Sequence, residues 1–354
     1  MRRFSLIKFS FLVLLIAVVM LKPGNPVMAA DSADGINLQV SPLPISLSTK
    51  PGSVVTTDLR IRNVGSKPEK LQIRLLAVNG DDNGAVHLAE PVPTDEWAKW
   101  VSFSRPTFDA PPGEWQTIKM TVNVPKTVAF GYYFAVEYLR ATAESPVPGK
   151  AVAQGAVATF ILLTADAPGA VREAQVVSFV ADRKFYEFLP AGFKVKVRST
   201  GNVHVIPHGN IFISRSGKQV DVINVNADKG SILPHSSRFF ESAWQDGFPV
   251  YLPTVKNDEP LLDKAGKQIT HLEWNFAHAN RLRYGHYTAH LVLIYDNGQR
   301  DIPIEATVSF WVVPWRLIGA VFGLVILVAI PITYAVILRR KLKRGKTYSS
   351  RRKR

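Results

Sequence analysis

The stretch from Leu317 to Leu338 runs for 22 residues without a charge, and it limits the possible architectures more than any other part of the chain. At about 1.5 Å per residue it is roughly 33 Å long as a helix, enough to cross the hydrocarbon core of a bilayer. Trp311 and Trp315 stand just before it, where interfacial aromatics belong, and Pro331 falls inside, which a membrane helix tolerates. Arg339-Arg340-Lys341-Leu342-Lys343-Arg344 follows at once. The sequence therefore predicts a transmembrane helix over 315–338, anchored by Trp315, Leu317, Leu338, Arg339, Arg340 and Lys341. By the positive-inside rule the basic tail, 339–354, is cytoplasmic and the body lies outside. Membrane lipid is thus the first expected partner: each Lys or Arg of the tail near an anionic leaflet contributes about 1 kcal/mol.

The other terminus has the signature of export. Arg2, Arg3 and Lys8 precede an apolar run from Phe9 to Leu21, a breaker stretch Lys22-Pro23-Gly24-Asn25-Pro26, and the small-residue site Val27-Met28-Ala29. A signal peptide over 1–30, cut after Ala29 or Ala30, is expected. The result is a single-pass plasma-membrane protein with an extracellular body.

These two ends explain the charge. The chain has 43 Lys+Arg against 28 Asp+Glu, a net +15, but four basic residues lie in 1–30, ten in 339–354 and one at Arg316. Residues 31–315 carry 28 of each sign and are neutral. A nucleic-acid-binding domain carries its basic stripe on the folded body, so nucleic acid is excluded as a partner.

Within that body the apolar period is two. Ile118, Met120, Val122 and Val124 alternate with Lys119, Thr121 and Asn123, and Phe193, Val195 and Val197 alternate with Lys194, Lys196 and Arg198. Turn chemistry at Asn63-Val64-Gly65, Asn83-Gly84, Ser216-Gly217 and Asp296-Asn297-Gly298 separates such runs, the last being a hairpin signal of the Asn-Gly type. The pattern also repeats. A strand closing on a glycine turn (Leu59 to Gly65; Gly192 to Gly201) is followed later by a Gly-x-Tyr-x-Ala strand (Gly131 to Ala135; Gly285 to Ala289). The expected fold is all-β: two immunoglobulin-like β-sandwich domains in tandem, over 31–164 and 171–314, followed by the single transmembrane α-helix. A linker over 165–170 joins them, 141–155 forms a loop, and 241–283 is a long insertion in the second domain. With no cysteine there is no inter-sheet disulfide, which favours a Gram-positive-type bacterial surface over the most oxidising settings.

A signal peptide, two sandwiches, one C-terminal membrane helix and a short basic tail together resemble the WxL-interacting protein family of bacterial cell-surface proteins. Val40-Ser41-Pro42-Leu43-Pro44 and Lys50-Pro51-Gly52 through Asn63 look like its first domain; Ile232 to Phe240 and Tyr284-Gly285-His286-Tyr287 look like its second. Pilus-chaperone-like domains share parts of the first pattern. The resemblance implies peptidoglycan and partner surface proteins as ligands of the first domain and host ligands for the second. The 241–283 segment departs from it, standing where a short connection would suffice.

Motifs for enzymatic chemistry are missing. The sequence has no Gly-x-Ser-x-Gly elbow, no phosphate loop, no His-Glu-x-x-His pair and no thiol. No catalytic residue and no cofactor is therefore expected. Asn79, Asp81, Asn83 and Glu90, with Gly84 between them, match the oxygen-ligand spacing of a calcium loop. An Asx- and Gly-rich hairpin tip explains the same letters. Trp244, Phe248, Tyr251 and Trp274 of the insertion are candidate partner-binding aromatics, since loops on rigid sandwiches carry recognition. Capping the open end of the second sandwich is the other reading, and the one the pattern favours. Trp97, Trp100, Phe103 and Phe108 read as core. The sequence points to a non-enzymatic, membrane-anchored extracellular protein that binds or scaffolds cell-wall polymer or partner surface proteins. The alternative is an extracytoplasmic assembly chaperone of the pilus-chaperone-like kind, working by sheet-edge strand pairing.

Overall fold

The computed structural model describes residues 36–128, 130–141, 155–256 and 259–350, with side chains described as far as Arg340. The expected signal peptide, most of the 141–155 loop and the last four residues of the basic tail lie outside the described residues. The first half folds as β1 (Leu38–Ser41), β2 (Ile45–Thr49), β3 (Val54–Asn63), β4 (Glu69–Gly80), β5 (Val86–Ala89), β6 (Val101–Phe103), β7 (Thr107–Ala110), β8 (Trp115–Asn123), β9 (Gly131–Arg140) and β10 (Val157–Ala165). The second half holds β11 (Ala174–Ala181), β12 (Phe185–Tyr186), β13 (Ala191–Ser199), β14 (His208–Arg215), β15 (Lys218–Val225) and β16 (Ser237–Trp244). It continues with β17 (Val250–Pro253), β18 (Val255–Lys256), β19 (Glu259–Pro260), β20 (Thr270–Glu273), β21 (Gly285–Asp296), β22 (Asp301–Val312) and the helix α1 (Trp315–Ser350).

Among the described residues the body ahead of that helix is built of β-strands, with two short 3-10 helices at Glu96–Trp100 and Phe276–Arg281. One sandwich packs the sheet β1-β3-β8-β6 on β2-β10-β9-β4-β5, with β7 also on β4; the other packs β11-β13-β16 on β12-β22-β21-β14-β15. Each encloses its own apolar core, one around Ile61, Phe134 and Ile161, the other around Phe193, Trp244 and Leu291. The alternation in β13 does what its letters predict: Phe193, Val195 and Val197 are buried, and the Lys and Arg between them are not. Trp97 and Phe108 are buried in the first core, and Trp100 and Phe103 pack against it.

The repeat in the sequence marks equivalent strands. β3 and β13 each occupy the interior of the smaller sheet, while β9 and β21, the two Gly-x-Tyr-x-Ala strands, each lie inside the larger one. The opening strand of each half changes sheet in the same way: β1 is antiparallel to β3 and β2 parallel to β10, β11 is antiparallel to β13 and β12 parallel to β22. Two details differ from expectation. The β21–β22 hairpin closes through four residues, Asn297 to Arg300, rather than two. Asn297 Oδ1 accepts from the Gln299 and Arg300 amides there, and Gly298 takes a φ of +93°. And β16 runs on to Trp244, four residues into the expected insertion.

α1 leaves β22 directly. The most apolar 18 residues of its Trp315–Arg340 stretch have a mean hydropathy of 2.7 and are not buried against the sandwiches, so the helix is long and apolar enough to cross a membrane and is no core helix of the body. The second sandwich therefore has two distinct ends. β21 begins at Gly285, paired with Val312 beside the helix, and finishes at Asp296 near the first sandwich. Its 12 residues span about 40 Å at roughly 3.4 Å each.

Candidate binding cleft between the sandwiches

The β4–β5 hairpin crosses from one sandwich to the other. Its tip is the Asx-Gly segment singled out as a calcium loop, and the structure gives those letters another use. Asp81 Oδ1 accepts hydrogen bonds from the Asn83 and Ala85 amides at 2.8 and 2.9 Å, and Oδ2 lies 3.1 Å from His87 Nε2. These bonds, His87 first, hold the Asp81 carboxyl below its ordinary pKa. Asn79 sits within the ladder opposite His87, Asn83 forms the turn, and Glu90 pairs with Arg74 at 2.9 Å. The two carboxylates of the proposed calcium set thus bind within the hairpin, Asp81 to its tip and Glu90 to β4, rather than converging. Among the described residues no group of three or more His, Asp or Glu is placed to hold a metal ion.

The outer side of that tip docks on the second sandwich. Ser237 N donates to Asp81 O at 3.0 Å, Ser237 Oγ reaches Asp82 Oδ1 at 3.4 Å, and Asp82 pairs with Arg198 at 3.2 Å. Gly84, at a φ of +83°, lets its backbone lie against the Phe239 ring. Beneath the tip β4 is apolar on both faces. Leu71, Ile73 and Leu75 face the first core, while Leu76 and Val78, with Ala135, are buried on the outer face near Leu233 of the other sandwich. A short polar joint completes the contact: His204 N donates to Tyr133 Oη at 2.8 Å and the two rings meet edge to face. Burial pushes the Tyr133 phenol up to about 12, and burial together with nearby Arg172 pulls the His204 imidazole down to about 4.

The two sandwiches do not close completely. A cleft of about 690 Å³ remains between them, with Leu43, Val78, Phe160 and Leu162 on one wall and Leu233 and Phe239 on the other. Asp228, Lys229 and Arg238 also line it, Arg238 donating to Ser231 O at 2.9 Å and lying over the Phe240 ring. The cleft borders an open sheet edge. β2 pairs only with Ile161–Ala165 of β10, whereas β9 pairs with β10 from Val157 onward. Among the described residues Val157 to Phe160 therefore has no ladder partner on its outer side, and an unpaired row of N–H and C=O groups is a template for another strand.

The candidate aromatics divide. Trp244 is a correction: it is fully buried at the centre of the second core, with its indole N–H donating to Asp221 Oδ2 at 2.8 Å, so it cannot touch a partner. Phe248 is buried as well, and Tyr251 is half-buried with its hydroxyl 3.1 Å from Glu187 Oε2. Trp274 is exposed. Trp315, Leu317, Leu338, Arg339, Arg340 and Lys341 all fall in α1. The cleft and the open edge were not picked out from sequence.

No family model matches the chain, and no curated protein matches it. Solved structures do resemble it, at low similarity. The complex of the CsuC chaperone with the CsuE tip adhesion subunit, from archaic chaperone-usher Csu pili of Acinetobacter baumannii, is 13% identical and covers 58% of this chain and 89% of that one, with a TM-score of 0.32. The CupB2 chaperone of Pseudomonas aeruginosa is 12% identical over 77% of this chain and 100% of its own, with a TM-score of 0.32. The E. coli chaperone DraB is 13% identical over 77% and 96%, again with a TM-score of 0.32. No residue role passes from them to this chain.

Proposed function

We propose that this protein is a non-enzymatic, membrane-tethered binding protein, exported so that its two sandwiches lie outside the cell. There it captures an extended apolar segment of another surface protein by strand addition. The observation that carries this reading is the Val157–Phe160 edge of β10 beside the cleft, which is unpaired among the described residues. In strand addition the backbone edge supplies affinity and the pockets beside it supply selectivity. Here the pockets are apolar walls, which fits a segment of alternating apolar residues. This is the working mode of an assembly chaperone. The membrane helix adds retention at the surface, so the client is handled where it is displayed. Trp97 and Phe108 are buried in the first core, so neither is available to a wall polymer.

Crosslinking on intact cells, with capture through a tag after Arg354, tests the proposal. One exported protein should be recovered, and it should be lost both on deletion of 31–164 and in Ala158→Asp, which places a charge on the cleft wall. Recovery unchanged by Ala158→Asp would overturn it. Retention through extended washing would identify a permanent scaffold, and release a chaperone.

A further inference from the structure

The insertion after β16 collects exposed apolar side chains on the end of the second sandwich from which α1 departs. Phe248 is buried and holds two rings over itself, Trp274 at 5.7 Å and Phe276 at 5.4 Å, and those two stack on each other. Trp274 is 43% exposed and Phe276 72%. Rings this open are costly to leave in water without a use. The segment is also pinned in place: Asp246 forms ion pairs with both Arg281 and Arg283, and Phe248 N donates to Arg281 O at 3.0 Å.

A short chain of contacts joins this cluster to the helix. Trp274 meets Phe188 at 6.3 Å, and the adjacent Glu187 accepts from the Tyr251 hydroxyl and pairs at 3.4 Å with Arg316, the second residue of α1. Exposed Tyr284, Trp311 and Trp315 stand at the same end, as do basic residues Lys184, whose carbonyl accepts from Trp311 N, and Arg215, whose guanidinium lies over Tyr284. Tryptophan, tyrosine and phenylalanine with a fringe of Lys and Arg make up the composition of a membrane–water interface.

We infer that the Phe248–Trp274–Phe276 cluster rests in the outer headgroup layer of the same bilayer that α1 crosses. It would thereby act as a second membrane contact that sets the tilt of the sandwiches on the surface. The inference rests on the membrane-tethered reading above. It commits to lipid rather than protein because the cluster is continuous, through Phe188, Glu187 and Arg316, with the start of the spanning helix. Residues 246–283 carry five Lys or Arg and five Asp or Glu, so docking depends on ring burial and does not require anionic lipid.

The chain has no cysteine, so single labels are clean. The full chain is reconstituted into phosphatidylcholine vesicles with an environment-sensitive fluorophore on Ala277→Cys, Leu327→Cys or Val64→Cys. Val64 lies at the far end of the first sandwich and serves as the water-exposed reference. The inference predicts a blue-shifted Ala277→Cys emission, quenched more by lipid spin-labelled near the headgroup than by lipid labelled near the chain end. The shift should survive high salt and be lost on adding Trp274→Ala with Phe276→Ser. A quenched Leu327→Cys beside an Ala277→Cys as water-like as Val64→Cys would overturn the inference and leave the anchor standing. An unquenched Leu327→Cys would overturn both.

Discussion

The Asp82 carboxylate at the β4–β5 tip lies 3.2 Å from the Arg198 guanidinium of β13, and this pair joins the first sandwich to the second. Both side chains are about half exposed, so the pair contributes only about 0.5 kcal/mol. The docking is instead set by close approach and by the buried outer face of β4.

That division can be tested with one glycine. A Cβ on Gly80 would come within 2.7 Å of Ser236 Oγ and 2.8 Å of Ser236 Cβ, and the second atom cannot swing away. Gly80→Val should force the sandwiches apart, raising the maximum dimension in small-angle scattering and opening the 166–172 stretch to protease. Asp82→Ala should change neither.

The junction should also weaken in acid. Folding depresses the His204 pKa from 6.5 to about 4. The imidazole in the folded state thus binds its proton later than in the unfolded chain. The stabilisation is complete above the unfolded value and declines as pH falls from about 6.5 to 4, by up to about 3 kcal/mol. Thermal melts of the purified chain should show this loss, and His204→Gln should flatten it across that window.

Trp244 is predicted to matter for stability and not for recognition. Trp244→Ala removes a ring at the centre of the second core and should cost about 3–5 kcal/mol. Trp244→Phe keeps most of the packing but leaves Asp221 Oδ2 without its donor, and should cost about 1–2 kcal/mol. Denaturant melts give both values, and partner capture by the Phe variant should be unchanged.

The helix joint gives a fourth outcome. Glu187 is buried and, among the described residues, is matched by Tyr251 and Arg316 alone. Arg316→Ala strands that carboxylate and should lower the stability of the second sandwich by about 1–3 kcal/mol. Adding Glu187→Gln should recover most of the loss, which melts of the three variants would read directly.

The strands and the helix were legible because each rests on a local period, alternation in one case and an unbroken apolar run in the other. The repeat was legible too, since Gly131 and Gly285 open equivalent strands. Contacts between the halves were not. Leu76 and Val78 make β4 apolar on both faces, and alternation alone cannot say that another sandwich covers the second face. The same apolar outer face, read with the Asp81-Asp82-Asn83-Gly84 tip that follows it, was the one available signal for the interface. Calcium-loop spacing failed as a guide for a related reason: Asp81 spends its oxygens on its own turn. Trp244 shares a strand face with Phe240 and Ser242, so its place in the core could have been read from period two.

The most direct test of strand addition is position-resolved photo-crosslinking in intact cells from Ala158, on the cleft wall, and from Leu88, on the opposite edge strand of the same sheet. The account predicts an Ala158 adduct confined to one extended, alternating apolar segment of a single exported protein, with none from Leu88. Equal adducts from both positions, or Ala158 adducts scattered over many proteins, would contradict it.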